Sequence, residues 1–129
     1  MKTLIIIFST LILQTVQAQI NEQRMIDAIA YAERSHGKIG AKGEYSDWQI
    51  MPSTWYEHTH IDLYTSNYYQ QRTIALKIMR HFARILENRH IAVTPHNLAV
   101  AWNAGPYATH ITTLTELYAY RANRYYSIP

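Results

Sequence analysis

The sequence contains no cysteine, and its 129 residues include only four glycines, four prolines and two phenylalanines. Without cysteine the chain forms no disulfide and carries no lipid on an N-terminal cysteine. The apolar core must therefore hold the fold by itself. We find no repeat, linker, low-complexity tract or convincing alternating strand, and the length suits one compact domain.

Charge of one sign is not concentrated anywhere along the chain. The formal net charge of +3 is spread over short alternations instead of forming a basic block. This distribution predicts no nucleic-acid partner. A mildly basic surface is compatible with a polyanionic partner, although solubility alone explains the same charge.

The sequence also lacks an apolar run long enough to cross a bilayer. The run from Leu4 to Leu13 is about half of the roughly 20 residues that a membrane helix needs. It follows Met1-Lys2-Thr3 and leads to the small residue Ala18, which is the layout of a secretory signal peptide. We expect a signal peptide at 1–18, a domain at 19–129, no stable membrane anchor, and a periplasmic or secreted protein.

Helical periodicity dominates the chain after this segment. Asn21 is a good N-cap for a helix that begins at Glu22 and ends near Ser35. One face of that helix carries residues at the i, i+3, i+4, i+7 spacing, namely Ile26, Ile29, Ala30 and Glu33. Glu33 is therefore predicted to lie on the apolar stripe.

The remaining sequence predicts four more helices. They begin near Pro52, span about 67–88, run from 95 to a stop at Ala104-Gly105-Pro106, and span about 114–125. Thr54 and Glu57 have capping-box spacing at the start of the second helix. On the longest helix we expect Arg72, Arg80 and Arg84 to form a solvated side.

Glu33 is the residue whose chemistry this pattern singles out. A carboxyl on an apolar helix face is costly to ionise, so its pKa is expected to be raised and it could serve as a general acid. A lone glutamate at a frayed helix end is more often simply solvated. Its neighbours in the sequence decide between these two interpretations.

Three segments together resemble the lytic transglycosylase family of the lysozyme-like superfamily. They are Glu33 with Ser35, then 43–55 with its Gln49-Ile50-Met51-Pro52-Ser53-Thr54 core, then 101–106, which reads Ala-Trp-Asn-Ala-Gly-Pro. The resemblance implies a mainly α, lysozyme-like single domain with a substrate cleft. It also implies cleavage of the MurNAc-β-1,4-GlcNAc bond of peptidoglycan with formation of 1,6-anhydro ends.

The resemblance assigns roles to individual residues. It implies that Glu33 is the catalytic acid and base, that Gln49 lies beside the cleft, and that Asn103 lies near the acid and the sugar. It also implies a tyrosine that contacts the acid, for which Tyr118 is the best match and Tyr120 the close alternative. It implies no cofactor, and it names glycan strands and an envelope-spanning secretion or conjugation machinery as partners.

The sequence departs from the family at the loop after the first helix. Arg34 stands between Glu33 and Ser35, so the resemblance leaves open whether Ser35 reaches the substrate. Trp102 replaces the usual tyrosine. For sugar stacking we expect Tyr107 and one of Trp48 or Tyr45 at the cleft, because amphipathic rings pack on sugar faces.

A second carboxylate would change the expected reaction. Asp47 and Glu44 lie on the loop that follows Glu33, and either one facing Glu33 would favour a hydrolytic lysozyme. Solvated loop charges are the commoner case. A catalytically weak peptidoglycan-binding module is the third interpretation.

His58 and His60 could suggest a metal site. They have no third ligand at a suitable spacing, so no metal is predicted.

Overall fold

The computed structural model describes residues 19–129, so the predicted signal peptide lies outside the described residues. Five helices follow one another along the chain: α1 (Glu22–Glu33), α2 (Pro52–His58), α3 (Tyr68–Asn88), α4 (Pro95–Ala104) and α5 (Thr113–Ser127). The expected mainly α architecture is confirmed. In the described part, strand-like pairing is limited to one isolated bridge between Tyr45 and Ile50, and no helix is long and apolar enough to span a membrane.

Side-chain caps fix most of the helix starts. The Asn21 side chain accepts a hydrogen bond from the Arg24 N–H at the start of α1, and Thr94 accepts one from the Asn97 N–H at the start of α4. Such caps satisfy backbone donors that the helix itself leaves unpaired. The starts of α1 and α4 were therefore readable from the sequence.

The predicted capping box at Thr54 is wrong. The N-cap of α2 is Met51, which makes no side-chain capping bond, and Pro52 occupies the first helical position. Proline needs no N–H partner there and its fixed φ already suits a helix. Thr54 lies inside the helix and cannot cap it.

The expected solvated side of α3 is confirmed for Arg80 and Arg84, which are exposed, whereas Arg72 is partly buried. Arg72 Nη1 donates to Asp27 Oδ1 at 2.6 Å, and Arg80 Nε donates to Glu22 Oε2 at 2.8 Å. These two ion pairs tie α3 to α1. The sequence could not show this, because the acidic partners belong to another helix.

The core lies where α1 packs against α3, α4 and α5. The buried face of α1 consists of Met25, Ile26, Ala28, Ile29 and Ala32. Burial of such apolar surface stabilises the fold by about 25 cal/mol per Å2, and it also fixes the direction of α1. The C-terminal end of α1, where Glu33 lies, is consequently held beside α5.

Candidate active site

Glu33 is the last residue of α1, and Arg34 ends the helix behind it. Arg34 is the C-cap with φ 54°, in the left-handed region, and its N–H donates to the Ala30 carbonyl at 3.4 Å. The chain therefore turns away directly after Glu33. The carboxyl is left partly buried, and the Tyr118 hydroxyl donates to Glu33 Oε1 at 2.9 Å.

Burial raises the pKa of Glu33 from 4.5 to about 7, as its place on the apolar face predicted. The hydrogen bond from Tyr118 lowers the pKa, the negative charge of Glu44 raises it, and the positive charge of Arg121 lowers it. Desolvation is the largest of these effects, and it raises the pKa because it penalises the charged form. Near neutral pH the side chain is therefore available in both protonation states.

Tyr118 contacts Glu33, and Tyr120 does not take that place. The Tyr118 side chain is 4% exposed, whereas Tyr120 is 58% exposed. Burial and the neighbouring Glu33 charge raise the pKa of the Tyr118 hydroxyl well above its usual value, so it remains a donor. On its other side the Arg121 guanidinium lies 5.8 Å from the Tyr118 ring centroid and donates to the Ala32 carbonyl.

Asn103 is held by a residue that the sequence analysis did not single out. Thr115 Oγ1 donates to Asn103 Oδ1 at 2.7 Å, and Thr115 is itself buried. Thr115 and Tyr118 are three residues apart on α5, so they share a face of the helix. One face of α5 therefore positions both Asn103 and Glu33. The three-residue spacing of Thr115 and Tyr118 was the signal in the sequence that could have identified Thr115.

The loop from 35 to 51 is held together by the two polar residues that were predicted to bind substrate. Ser35 Oγ donates to the Ser46 carbonyl at 3.2 Å. Gln49 Nε2 donates to the Lys38 carbonyl at 2.7 Å and to the Ser46 carbonyl at 3.0 Å. These bonds tie the loop to itself beside α1. A direct role of Ser35 and Gln49 in substrate binding stays a prediction.

Strained backbone is concentrated in the same region. Four residues other than glycine between 34 and 49 have positive φ, namely Arg34, His36, Ser46 and Gln49. Each such conformation costs on the order of 1 kcal/mol and persists only where the surroundings enforce it. Strain of this kind collects at functional sites, and here it lies next to Glu33.

The prediction that Trp48 stacks on sugar at the cleft is wrong. Trp48 is 1% exposed, and its Nε1–H donates to the Ile26 carbonyl of α1 at 2.9 Å. Trp48 is therefore a core residue that anchors the loop to α1. Its backbone carbonyl accepts a hydrogen bond from Trp102 Nε1 at 3.0 Å. Tyr45, the alternative, is only partly buried, and Tyr107 is 69% exposed.

Of the two loop carboxylates, Glu44 is the one whose charge acts on Glu33. Its Oε2 accepts a hydrogen bond from the Lys42 N–H at 2.8 Å, which fixes the side chain within the loop. Asp47 instead lines a cavity of about 500 Å3 with Tyr31, Arg34 and His36. Glu44 is therefore the better candidate for a second acid.

The two histidines considered for a metal do not pair with each other. His58 packs edge-on against His81 with ring centroids 5.2 Å apart, while His60 is exposed. Within residues 19–129 no group of three or more His, Asp or Glu residues is arranged to hold a metal ion. Burial lowers the pKa of His58.

Comparison with known proteins identifies no family for this chain. No family model matches the chain, and no curated protein or solved structure matches it either. The resemblance of the three segments around Glu33, Gln49 and Asn103 therefore stays a prediction. The chemistry of the site has to be argued from its residues and distances.

Proposed function

We propose that this protein is a peptidoglycan lytic transglycosylase with a lysozyme-like fold and that its substrate cleft passes Glu33. The observation that carries the proposal is the state of Glu33, a partly buried carboxyl with a pKa of about 7 that is held by the Tyr118 hydroxyl. A group that titrates near the working pH can both donate and accept a proton efficiently. The order of the three sequence segments supports the same enzyme class.

In the proposed reaction Glu33 acts twice. Its carboxyl proton passes to the glycosidic oxygen while the bond from that oxygen to the muramic C1 breaks, which leaves an oxocarbenium-like sugar. The resulting carboxylate then takes the proton of the muramic 6-hydroxyl as that oxygen bonds to C1. The glucosamine leaves as an alcohol, the muramic residue becomes a 1,6-anhydro sugar, and Glu33 is protonated again.

The neighbours of Glu33 suit this reaction. Tyr118 keeps a hydrogen bond on Oε1, which limits rotation of the carboxyl. Because Thr115 occupies the amide oxygen of Asn103, the amide NH2 group is free to donate to a sugar hydroxyl. We assign Asn103 to the sugar and Tyr118 to the positioning of the acid. The predicted signal peptide and the proposed substrate both imply export, with glycan strands as the partner.

A hydrolytic lysozyme is the second candidate function, and the charge of Glu44 favours it. Ordinary glycoside hydrolysis uses a pair of carboxylates, one of which activates water or stabilises the reacting sugar. Glu44 acts electrostatically on Glu33 from the neighbouring loop. In this reaction water replaces the 6-hydroxyl, and the product carries a reducing end.

Digestion of purified peptidoglycan, followed by mass analysis of the products, tests the proposal. Wild type should release fragments with anhydro ends, which are lighter by one water than reducing ends. Glu33→Gln should lower the rate by roughly 10²- to 10⁴-fold because the proton donor is lost. Glu57→Gln, an exposed residue of α2, is the matched control and should leave the rate unchanged.

The remaining outcomes separate the alternatives. If all products carry reducing ends, the protein is a hydrolase and not a lytic transglycosylase. Loss of that hydrolysis in Glu44→Gln would identify Glu44 as the second carboxylate. Binding of peptidoglycan without cleavage, equal in wild type and Glu33→Gln, would leave only a binding module. Cleavage by Glu33→Gln at the wild-type rate would also refute the assignment of the acid.

A further inference from the structure

A cationic groove lies beside the candidate site, between the end of α1 and the C-terminal half of α5. Its volume is about 510 Å3. We call it the arginine groove and define it by Tyr31, Arg34, Tyr120, Arg121, Arg124 and Tyr125. Among the described residues that line it there are three guanidinium groups and no carboxylate.

None of the three arginines of the groove forms an ion pair within the described residues, although the charge of Arg121 also acts on Glu33. The ion pairs formed within residues 19–129 involve Arg72, Arg80 and His96, and none involves an arginine of the groove. In addition, Arg121 Nε is buried and has no hydrogen-bond partner among the described residues. Like charges in one groove repel each other, and a bound anion would relieve that repulsion.

Arg34 occupies its place in the groove at a conformational cost. It has φ 54° at the C-cap of α1, a position that usually takes glycine because the left-handed region is strained for other residues. The strain is explained if the side chain does something that glycine cannot do. Arg34 is also the residue that separates Glu33 from Ser35.

The tyrosines give the groove flat walls. Tyr31 and Tyr125 are stacked with ring centroids 4.7 Å apart and an interplanar angle of 26°, and Tyr31 remains 50% exposed. Ligand pockets generally measure about 300 to 1,000 Å3, so the volume of the groove suits a small ligand. Guanidinium groups bind carboxylates through two parallel hydrogen bonds, which makes arginine selective for such anions.

We propose that the arginine groove binds a short peptide that carries two or more carboxylates. The proposal deepens the proposed function, and it rests on that function in one respect: in a peptidoglycan-cleaving enzyme, the peptide is the stem attached to the glycan. Two features link the groove to the acid. Arg34 directly follows Glu33, and the Arg121 guanidinium lies over the ring of Tyr118, whose hydroxyl binds Glu33.

Calorimetric titration of the purified protein with acetyl-Glu-Ala-Glu, a peptide with three carboxylates, tests the groove directly. Acetyl-Gln-Ala-Gln-amide is the neutral control peptide and should not bind. Arg34→Gln and Arg124→Gln should each weaken binding about tenfold, since hydrogen bonds to charged groups are the strong ones. Arg84→Gln, an exposed arginine of α3 outside the groove, should change nothing.

Several results would overturn the inference. They are absence of binding, equal binding of the neutral peptide, insensitivity to both groove variants, and tighter binding of inorganic phosphate than of the peptide. Bound carboxylates should also raise the pKa of Glu33 in an NMR titration, because they offset the Arg121 charge that lowers it. No change in that pKa would contradict the placement of the peptide next to Arg121.

A second experiment separates the fate of this inference from that of the proposed function. Cleavage is compared on glycan strands with stems and on strands whose stems an amidase has removed. Stem removal should raise the KM of wild type about tenfold at unchanged kcat, and Arg124→Gln should abolish that preference. Equal cleavage of both kinds of strand would refute recognition of the stem by the groove but would leave the proposed enzymatic activity intact. Peptide binding without any cleavage would support the proposed binding by the arginine groove and refute the proposed enzymatic activity.

Discussion

The raised pKa of Glu33 should make the stability of the protein depend on pH in a direction opposite to that of most acidic residues. The unfolded chain releases the proton of Glu33 near pH 4.5, whereas the folded chain keeps it up to about pH 7. The folded state therefore binds more protons in this window, and the free energy of unfolding falls as the pH rises through it. The contribution of Glu33 is fully present below pH 4.5 and is lost above about 7.

The size of the effect follows from the same two values. The difference between 4.5 and about 7, at about 1.4 kcal/mol per pH unit, corresponds to about 3 kcal/mol. Glu33→Gln removes the charge and keeps the shape and the acceptor oxygen for Tyr118. At pH 8 the variant should thus be more stable than wild type by up to about 3 kcal/mol, and at pH 4 the two should be nearly equal.

Urea unfolding followed by tryptophan fluorescence at pH 4, 6 and 8 measures this difference. Glu57→Gln serves as the control, because its side chain is exposed and its effect on stability should be small at every pH. A gap between wild type and Glu33→Gln that stays constant with pH would refute the reasoning. So would a variant less stable than wild type at pH 8, since the carboxylate would then be stabilising in its folded environment.

Three further substitutions test other contacts of the site. Tyr118→Phe removes a hydrogen bond that lowers the pKa of Glu33, so an NMR titration should place that pKa above the wild-type value of about 7; an unchanged or lower value would contradict the contact. Arg34→Gly relieves a left-handed C-cap and should raise the free energy of unfolding by about 1 kcal/mol, seen as a higher melting temperature; a lower one would show that the Arg34 side chain stabilises the fold. Trp48→Ala should destabilise the protein by about 3 to 5 kcal/mol in urea unfolding, because a buried ring is lost; a change within about 0.5 kcal/mol would instead fit a surface residue.

The parts of the fold that the sequence predicted are those decided by local chemistry. The i, i+3, i+4, i+7 spacing placed Glu33 on the buried side of α1, and Asn21 with Thr94 marked the starts of two helices. These signals act within about two turns of helix, so neighbours in the sequence suffice to show them. The raised pKa of Glu33 followed from the same periodicity.

The parts that the sequence did not predict depend on other elements. The burial of Trp48 depends on its packing in the core beside α1, where its Nε1–H donates to the Ile26 carbonyl, 22 residues earlier in the chain. A helical projection places Arg72 and Arg80 on the polar side of α3, but it does not show their acidic partners, which belong to α1. Only the packing of α5 distinguishes Tyr118 from Tyr120, since both have the same aromatic chemistry.

The hydrogen bond between Tyr118 and Glu33 joins residues 85 positions apart, and it has a consequence for the timing of activity. During synthesis Glu33 emerges long before α5 exists, and contacts between residues so far apart in the sequence generally form more slowly than local ones. Until the last helix docks, Glu33 lacks the burial by α5 and the tyrosine hydroxyl that set its proton affinity. In a growing or truncated chain without α5, Glu33 would therefore be an ordinary exposed carboxylate. Its pKa would rise only after α5 has been made and has packed against α1.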